Sequence, residues 1–237
     1  MAVLRAVLSD LDDTLFDHYR ATRDALSSVR EQHAVFSNWS IDELQRRHSG
    51  HLEVLHIEYL QGRLSADEAR RERFRRLLVE ARDEAEPERA IDIARAYRRA
   101  YEQCWHPVAG ARALLELVKV QGLSVVVVTN NSVVEQREKL ERTGLWPFVD
   151  RLVTSEDVRS LKPEPEMFRA GLDAAGVTTG EAVMLGDAWA IDIEGARRIG
   201  LRAVWLNRFE LSSPDATVPE LRSLVPAADV LRMLMAQ

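Results

Sequence analysis

Five short stretches of the chain are almost continuously apolar: "VLRAVLSD" (3–10), "GLSVVVVTNN" (122–131), "RLVTS" (151–155), "AVMLGDA" (182–188) and "LRAVWLN" (201–207). None alternates polar with apolar residues. Runs of this kind suit strands covered on both faces, as in parallel sheets. From residue 108 onward the stretches between them carry a different pattern. "GARALLELVKVQG", "SVVEQREKLERTG", "EPEMFRAGLDAAG" and "AIDIEGARRIG" read as helices, each closing on a glycine, the residue that most often ends a helix. Strand alternating with helix predicts right-handed crossovers and a doubly wound sheet.

The segment from Asp17 to Trp105 breaks that alternation. It holds no convincing strand, and two capping signatures, Ser40 to Glu43 and Ser65 to Glu68, each open a helical pattern. Leu52, Leu55 and Tyr59, then Phe74, Leu77 and Leu78, recur at helical spacing. The pattern therefore predicts an α/β protein. Residues 1–16 plus 106–237 form a doubly wound, Rossmann-like parallel sheet core, and residues 17–105 form an inserted all-helical domain, a separate small bundle. The C-terminal "ADVLRMLMAQ" reads as a last helix packing on the sheet.

Composition narrows the function classes. With 237 residues and 46% of them hydrophobic, the chain can bury a sizeable core. A formal net charge of −6 does not suit a binder of nucleic acid polymers, which carries a basic stripe. It leaves an anionic small molecule open, because a local site can be positive on an acidic protein. A lone cysteine, Cys104, excludes a disulfide framework and reads as a small packed hydrophobe. The N-terminus lacks the pattern of a signal peptide and no apolar run reaches membrane-spanning length, so a soluble, cytoplasmic protein is expected.

The candidate chemistry gathers at one edge. In open α/β sheets, ligands sit at the carboxyl ends of the strands. Asp10, Asp12 and Thr14 follow the first strand, and Thr129 and Asn130 follow the second. Lys162 precedes a proline-rich helix start; Gly186 and Asp187 follow "AVML", with Asp192 in the next helix. Crowded carboxylates repel unless a cation offsets them. Asp10 and Asp187 could share a Mg2+ ion, a hard cation that takes oxygen ligands. Asp10 could then attack phosphorus, and Asp12 could serve as acid and base. Thr129, backbone N–H groups and the Lys162 ammonium could hold the phosphoryl oxygens. Taken alone, the Asp10–Asp12 pair is equally consistent with an acidic turn; the other three segments in register favour chemistry.

"DLDDT", "VVVVTNN", "LKPEPEMF" and "LGDAWAID" resemble, in order and spacing, the four motifs of the haloacid dehalogenase-like hydrolase superfamily. The likeness is strongest to its phosphatase branch, which includes nucleotide, flavin mononucleotide and N-acylneuraminate phosphatases. It runs from the first strand to about Leu206, and it implies that the helical insertion, residues 17–105, is an early-inserted helical cap domain. The resemblance implies Asp10 as nucleophile, forming an aspartyl-phosphate, and Asp12 as acid/base with its backbone carbonyl on Mg2+. It implies Thr129 as a phosphate ligand and Asn130 as support for that loop. Lys162 would neutralise charge, Asp187 would bind the metal, and Asp192 would support the metal or Lys162. Dehalogenases of the superfamily lack the second acidic residue, so Asp12 favours phosphate chemistry. A phosphomutase or dehalogenase of the same superfamily, or a receiver-like phospho-accepting switch, is the alternative. The expected partner is a small phosphorylated metabolite.

The remaining clusters invite blander readings. Asp13 is expected to be solvated or to cap a turn. His48, His51 and His56 read as solvated helix histidines, since further zinc ligands are missing. The run "ARRERFRRLL", followed by "EARDEAEPER", reads as mixed charge on an exposed helix, with room for one arginine to face a substrate. Phe16, Asp17 and His18 form a hinge beside Asp10 that could touch a leaving group.

Overall fold

A computed structural model describes residues 3–82 and 87–236. After strand β1 (Ala6–Ser9) come four helices: α1 (His18–Gln32), α2 (Ile41–Leu60), α3 (Ala66–Glu80) and α4 (Pro87–Gln103). The chain continues through α5 (Ala111–Val120), β2 (Ser124–Thr129), α6 (Val133–Arg142), β3 (Arg151–Thr154), a short α7 (Ser155–Val158) and α8 (Pro165–Ala175). It ends with β4 (Ala182–Gly186), α9 (Glu194–Arg198), β5 (Arg202–Leu206), β6 (Glu220–Leu221) and α10 (Ala227–Met235). Contacts divide the chain into two compact units, Met1–Asp17 with His106–Gln237, and His18–Trp105.

The first unit is the doubly wound α/β core. Its six strands run in the order β3-β2-β1-β4-β5-β6, and every pair is parallel. Each apolar stretch picked out above becomes one strand. The two-residue β6, "EL", is too short to leave a pattern and was not anticipated. Ala6, Leu8, Val126, Val128, Met184 and Trp205 share one cluster with Met167, Phe168 and Leu172 of α8. The intervening Val7, Val125, Val127, Val183 and Leu185 are equally buried, as a sheet covered on both faces requires. Gly171 lets α8 sit close to the sheet: a Cβ there would lie 2.7 Å from Val128 and 2.9 Å from Leu8. The strand order reverses between β1 and β4, the point at which such sheets bind ligands.

The second unit is all helical, with α1 packed on α4 and α2 on α3. Ala90, Ile93, Ala94, Tyr97 and Tyr101 give α4 a buried stripe at helical spacing. Ser65 and Glu68 form a reciprocal capping box on α3. Ser40 caps α2 by accepting from the Glu43 N–H, and each cap is worth about 1 kcal/mol. The expectation for the histidines fails at His48, which is fully buried. It continues the inward face of α2 after Leu44, one turn away, and its Nε2 lies 3.2 Å from Arg73 Nη1. Its ring also packs against Phe74 and Tyr97. Arg73 likewise departs from the exposed-helix reading, being buried one turn beyond Ala69 on α3. Its neighbours do pair in solvent: Arg70 with Asp67, and Arg75 and Arg76 with Glu72. The middle of "EARDEAEPER", residues 83–86, lies outside the described residues. Among the described residues no helix is long and apolar enough to cross a membrane.

Candidate active site

The strands end level with one another, and that levels the chemistry. Ser9 pairs with Val127 on one side and Leu185 on the other. The Asp10 N–H then donates to Leu185 O at 2.9 Å, carrying the ladder one residue further. Thr129 is the last residue of β2, and Asp187 follows the last residue of β4.

At this edge Lys162 is the hub. Its Nζ lies 2.6 Å from Asp10 Oδ1 and 2.6 Å from Asp192 Oδ1, with only 2% of its side chain exposed. Burial alone would lower its affinity for a proton, but Asp10 and Asp192 outweigh that and hold the ammonium well above its usual range. Burial pushes the Asp10 carboxyl up to about 7; Lys162 opposes the shift, and Asp192 and Asp12 add to it. Asp187 is held well above the carboxylate range by burial first, then by the charges of Asp10, Asp192 and Asp13.

Each member is held in turn. Asn130 accepts from the Lys162 N–H at 2.7 Å and donates to the Lys162 carbonyl at 2.9 Å. Its amide thereby holds the lysine backbone from both sides, and its nitrogen keeps one further hydrogen to give. Asp192 sits in a π-helical turn, Trp189–Ile193, a wide turn found mostly at functional sites. Its Oδ2 accepts from the Ala188 N–H at 3.1 Å, so both of its oxygens are engaged. Gly186 makes room for it, since a Cβ there would collide with the Asp192 carboxylate. Thr14 donates to Asp187 Oδ1 at 3.1 Å, and the Trp205 indole donates to Asp187 O at 2.7 Å.

Asp12, two residues beyond Asp10, faces α6. Lys139 Nζ lies 2.7 Å from its Oδ1, and Gln136 Nε2 lies 2.9 Å from its Oδ2. Asp13 is half-buried in the turn after β1. It takes a left-handed φ of 63°, and Arg208 donates to its carbonyl at 3.1 Å while pairing with Asp17 at 2.9 Å. Arg208 thus ties down the loop after β1. Arg208, Lys139, Gln136 and Trp205 were not singled out in the sequence. The thin apolar face of α6, where Gln136 and Lys139 are buried beside Leu140, is the signal that could have found two of them.

The donor set fits a hard dication. Ligand atoms of Asp10, Asp187 and Asp192 all lie within 4.8 Å of one another. With one ammonium against three carboxylates the cluster carries an excess of negative charge, and its donors are all oxygen.

A carboxylate cluster around a buried lysine, at the switch point of a 3-2-1-4-5-6 sheet, defines a class of hydrolase. The family model "haloacid dehalogenase-like hydrolase" matches residues 4–200, and the chain belongs to that family. Phosphoserine phosphatase of Thermus thermophilus is 36% identical to it over 240 aligned positions, covering 94% of this chain and 92% of the relative. Ribulose-1,5-bisphosphate 5-phosphatase of Halopiger xanaduensis is 33% identical, covering 90% and 87%. Among solved structures, the HAD-hydrolase YfnB of Bacillus subtilis, bound to magnesium, superposes with a TM-score of 0.77 at 26% identity, covering 97% of this chain and 99% of its own.

Proposed function

We propose that this hydrolase is a Mg2+-dependent phosphatase that cleaves a small-metabolite phosphomonoester, such as a nucleotide, flavin mononucleotide or sugar phosphate, through an aspartyl-phosphate on Asp10. The observation that carries the reading is the convergence of Asp10, Asp187 and Asp192 on Lys162, with Asp12 two residues from Asp10. The names of the two phosphatase relatives support it.

A carboxylate oxygen of Asp10 attacks phosphorus, and the bond from phosphorus to the ester oxygen breaks. Asp12 gives that oxygen its proton, and the alcohol leaves. A water molecule then attacks the phosphorus of the acyl phosphate, Asp12 takes its proton, and the bond to Asp10 breaks to release inorganic phosphate. Lys162 and the Thr129 hydroxyl hold the phosphoryl oxygens, whose charge is what catalysis must stabilise. Asp10, Asp187 and the Asp12 backbone carbonyl would hold Mg2+, with Asp192 beside them. When bound, the ion neutralises charge between carboxylate and phosphate.

The test is phosphate release from a panel of nucleotides, phosphoserine, sugar phosphates, flavin mononucleotide and p-nitrophenyl phosphate. Each is assayed with Mg2+, with chelator, and with the Asp10→Asn variant. Release that needs Mg2+ and vanishes in folded Asp10→Asn is expected. Release that survives in Asp10→Asn would overturn the reading, as would none from any compound.

A further inference from the structure

Gln136 stands one helical turn from Lys139 (i, i+3), on the buried face of α6, and both reach the loop after β1. The Gln136 amide nitrogen has two hydrogens, and two acceptors take them: Asp12 Oδ2 at 2.9 Å and Thr129 Oγ1 at 2.7 Å. The amide can face only this way, because its oxygen would meet the Asp12 carboxylate. Gln136 Oε1 has no hydrogen-bond partner among the described residues, although the residue is fully buried. The side chain thus presents donors at the expense of its own acceptor. On the other side Lys139, whose side chain is 1% exposed, lies 2.7 Å from Asp12 Oδ1 and 3.5 Å from Glu135. Its ammonium also sits 4.9 Å from the centre of the Phe16 ring.

We propose that Gln136 and Lys139 are positioning residues that aim the Asp12 carboxylate and the Thr129 hydroxyl at the phosphoester. This rests on the phosphatase reading above. Three consequences follow from hydrogen-bond direction. Donors on both oxygens fix the rotation of the Asp12 carboxylate, which would otherwise turn freely about its terminal bond. Each oxygen keeps a second lone pair, so a transferring proton has a place without either contact breaking. Thr129, by accepting from Gln136, is left with its own O–H to give, and a donor is what a phosphoryl oxygen requires. One amide therefore sets the group that moves the proton and a group that holds the phosphate, and keeps them in register.

The role has a signature that general loss of structure does not. p-Nitrophenolate leaves without a proton, whereas an alkoxide such as that of phosphoserine does not. The experiment compares Gln136→Met and Lys139→Met with wild type, in Mg2+, by the rate of the first turnover on p-nitrophenyl phosphate and on phosphoserine. For both variants we expect a fall of about 10- to 100-fold on phosphoserine, with Lys139→Met within about 3-fold of wild type on the aryl ester. Gln136→Met also frees the Thr129 hydroxyl and raises KM for both esters. Lys139→Arg restores most of the alkyl-ester rate. In an Asp12→Asn background Lys139→Met costs no further activity, since the group it aims is gone. Equal falls on both esters in Lys139→Met, or additive losses with Asp12→Asn, would overturn the positioning role. So would unchanged rates in both variants. An inactive wild type would overturn the phosphatase reading itself, a result that none of the variant outcomes mimics. Lys139→Gln, which keeps a donor and loses the charge, supplies the comparison if Lys139→Met does not fold.

Discussion

Asn130 and Lys162 are joined edge to edge: the Asn130 amide accepts from the Lys162 N–H at 2.7 Å and donates to its carbonyl at 2.9 Å. The lysine that bridges Asp10 and Asp192 is therefore anchored at both ends, by its backbone and by its ammonium. Asn130→Ala removes two hydrogen bonds and leaves backbone groups to find new partners, at a cost of about 1–3 kcal/mol. We expect kcat to fall about 100-fold, because a displacement near 1 Å is enough. Asn130→Asp sets a carboxylate against the Lys162 carbonyl and does worse. Kinetics and thermal melts on both variants check this.

Lys162→Met strands Asp10 and Asp192 beside each other in a buried site. Breaking a buried pair by removing one partner costs about 3–5 kcal/mol. We expect activity to be abolished and the melting temperature to fall. Added Mg2+ recovers part of the stability, because it supplies the missing positive charge. A melt with and without Mg2+ reads both effects.

Asp187 makes the metal assignment testable without turnover. Ligand in hundredfold excess over its Kd stabilises by about 2.7 kcal/mol, which for a chain of this size is a rise of about 5–10 °C. We expect Mg2+ to produce such a rise in wild type and none in Asp187→Asn. In chelator the variant melts higher than wild type, since a buried like charge has gone. A variant that keeps the full Mg2+ shift would remove Asp187 from the site.

His48 gives the helical unit a pH dependence. Burial first, then the charges of Arg73, His18 and His51, hold its imidazole well below 6.5. The folded chain keeps the ring neutral where the unfolded chain takes up a proton. Stability is therefore unaffected above pH 6.5 and falls as pH drops below it, by up to about 1.4 kcal/mol per unit. The fall in melting temperature from pH 7.5 to 5.5 should be smaller in His48→Phe than in wild type. Equal falls would contradict it.

What the sequence made legible follows from how strongly each signal is encoded. The buried strands announce themselves because nothing polar survives between two layers of helices, and their carboxyl ends mark where Asp10, Thr129 and Asp187 must meet. Lys162 was found through its motif, but its anchor to Asn130 depends on backbone geometry that residue identity does not record. Gln136 and Lys139 escaped because a polar residue on a short charged helix looks solvated until the fold buries it. His48 misled for the same reason, although its place one turn after Leu44 was visible. Asp13 meets Arg208, far along the chain, and no local pattern anticipates such a partner.

The position of β1 has a consequence for how the chain is made. The strand spans residues 6–9, yet its neighbours in the sheet are residues 124–129 and 182–186. At about 5–20 residues per second of synthesis, β1 waits on the order of ten seconds for its first partner and longer for its second. Meanwhile the whole of 18–105, whose contacts are local, has emerged and can fold. Of the strands in this sheet, the one that leads into Asp10 is made first and is among the last to be housed, an apolar segment that the nascent chain must carry unpaired while its two partner strands are still being translated.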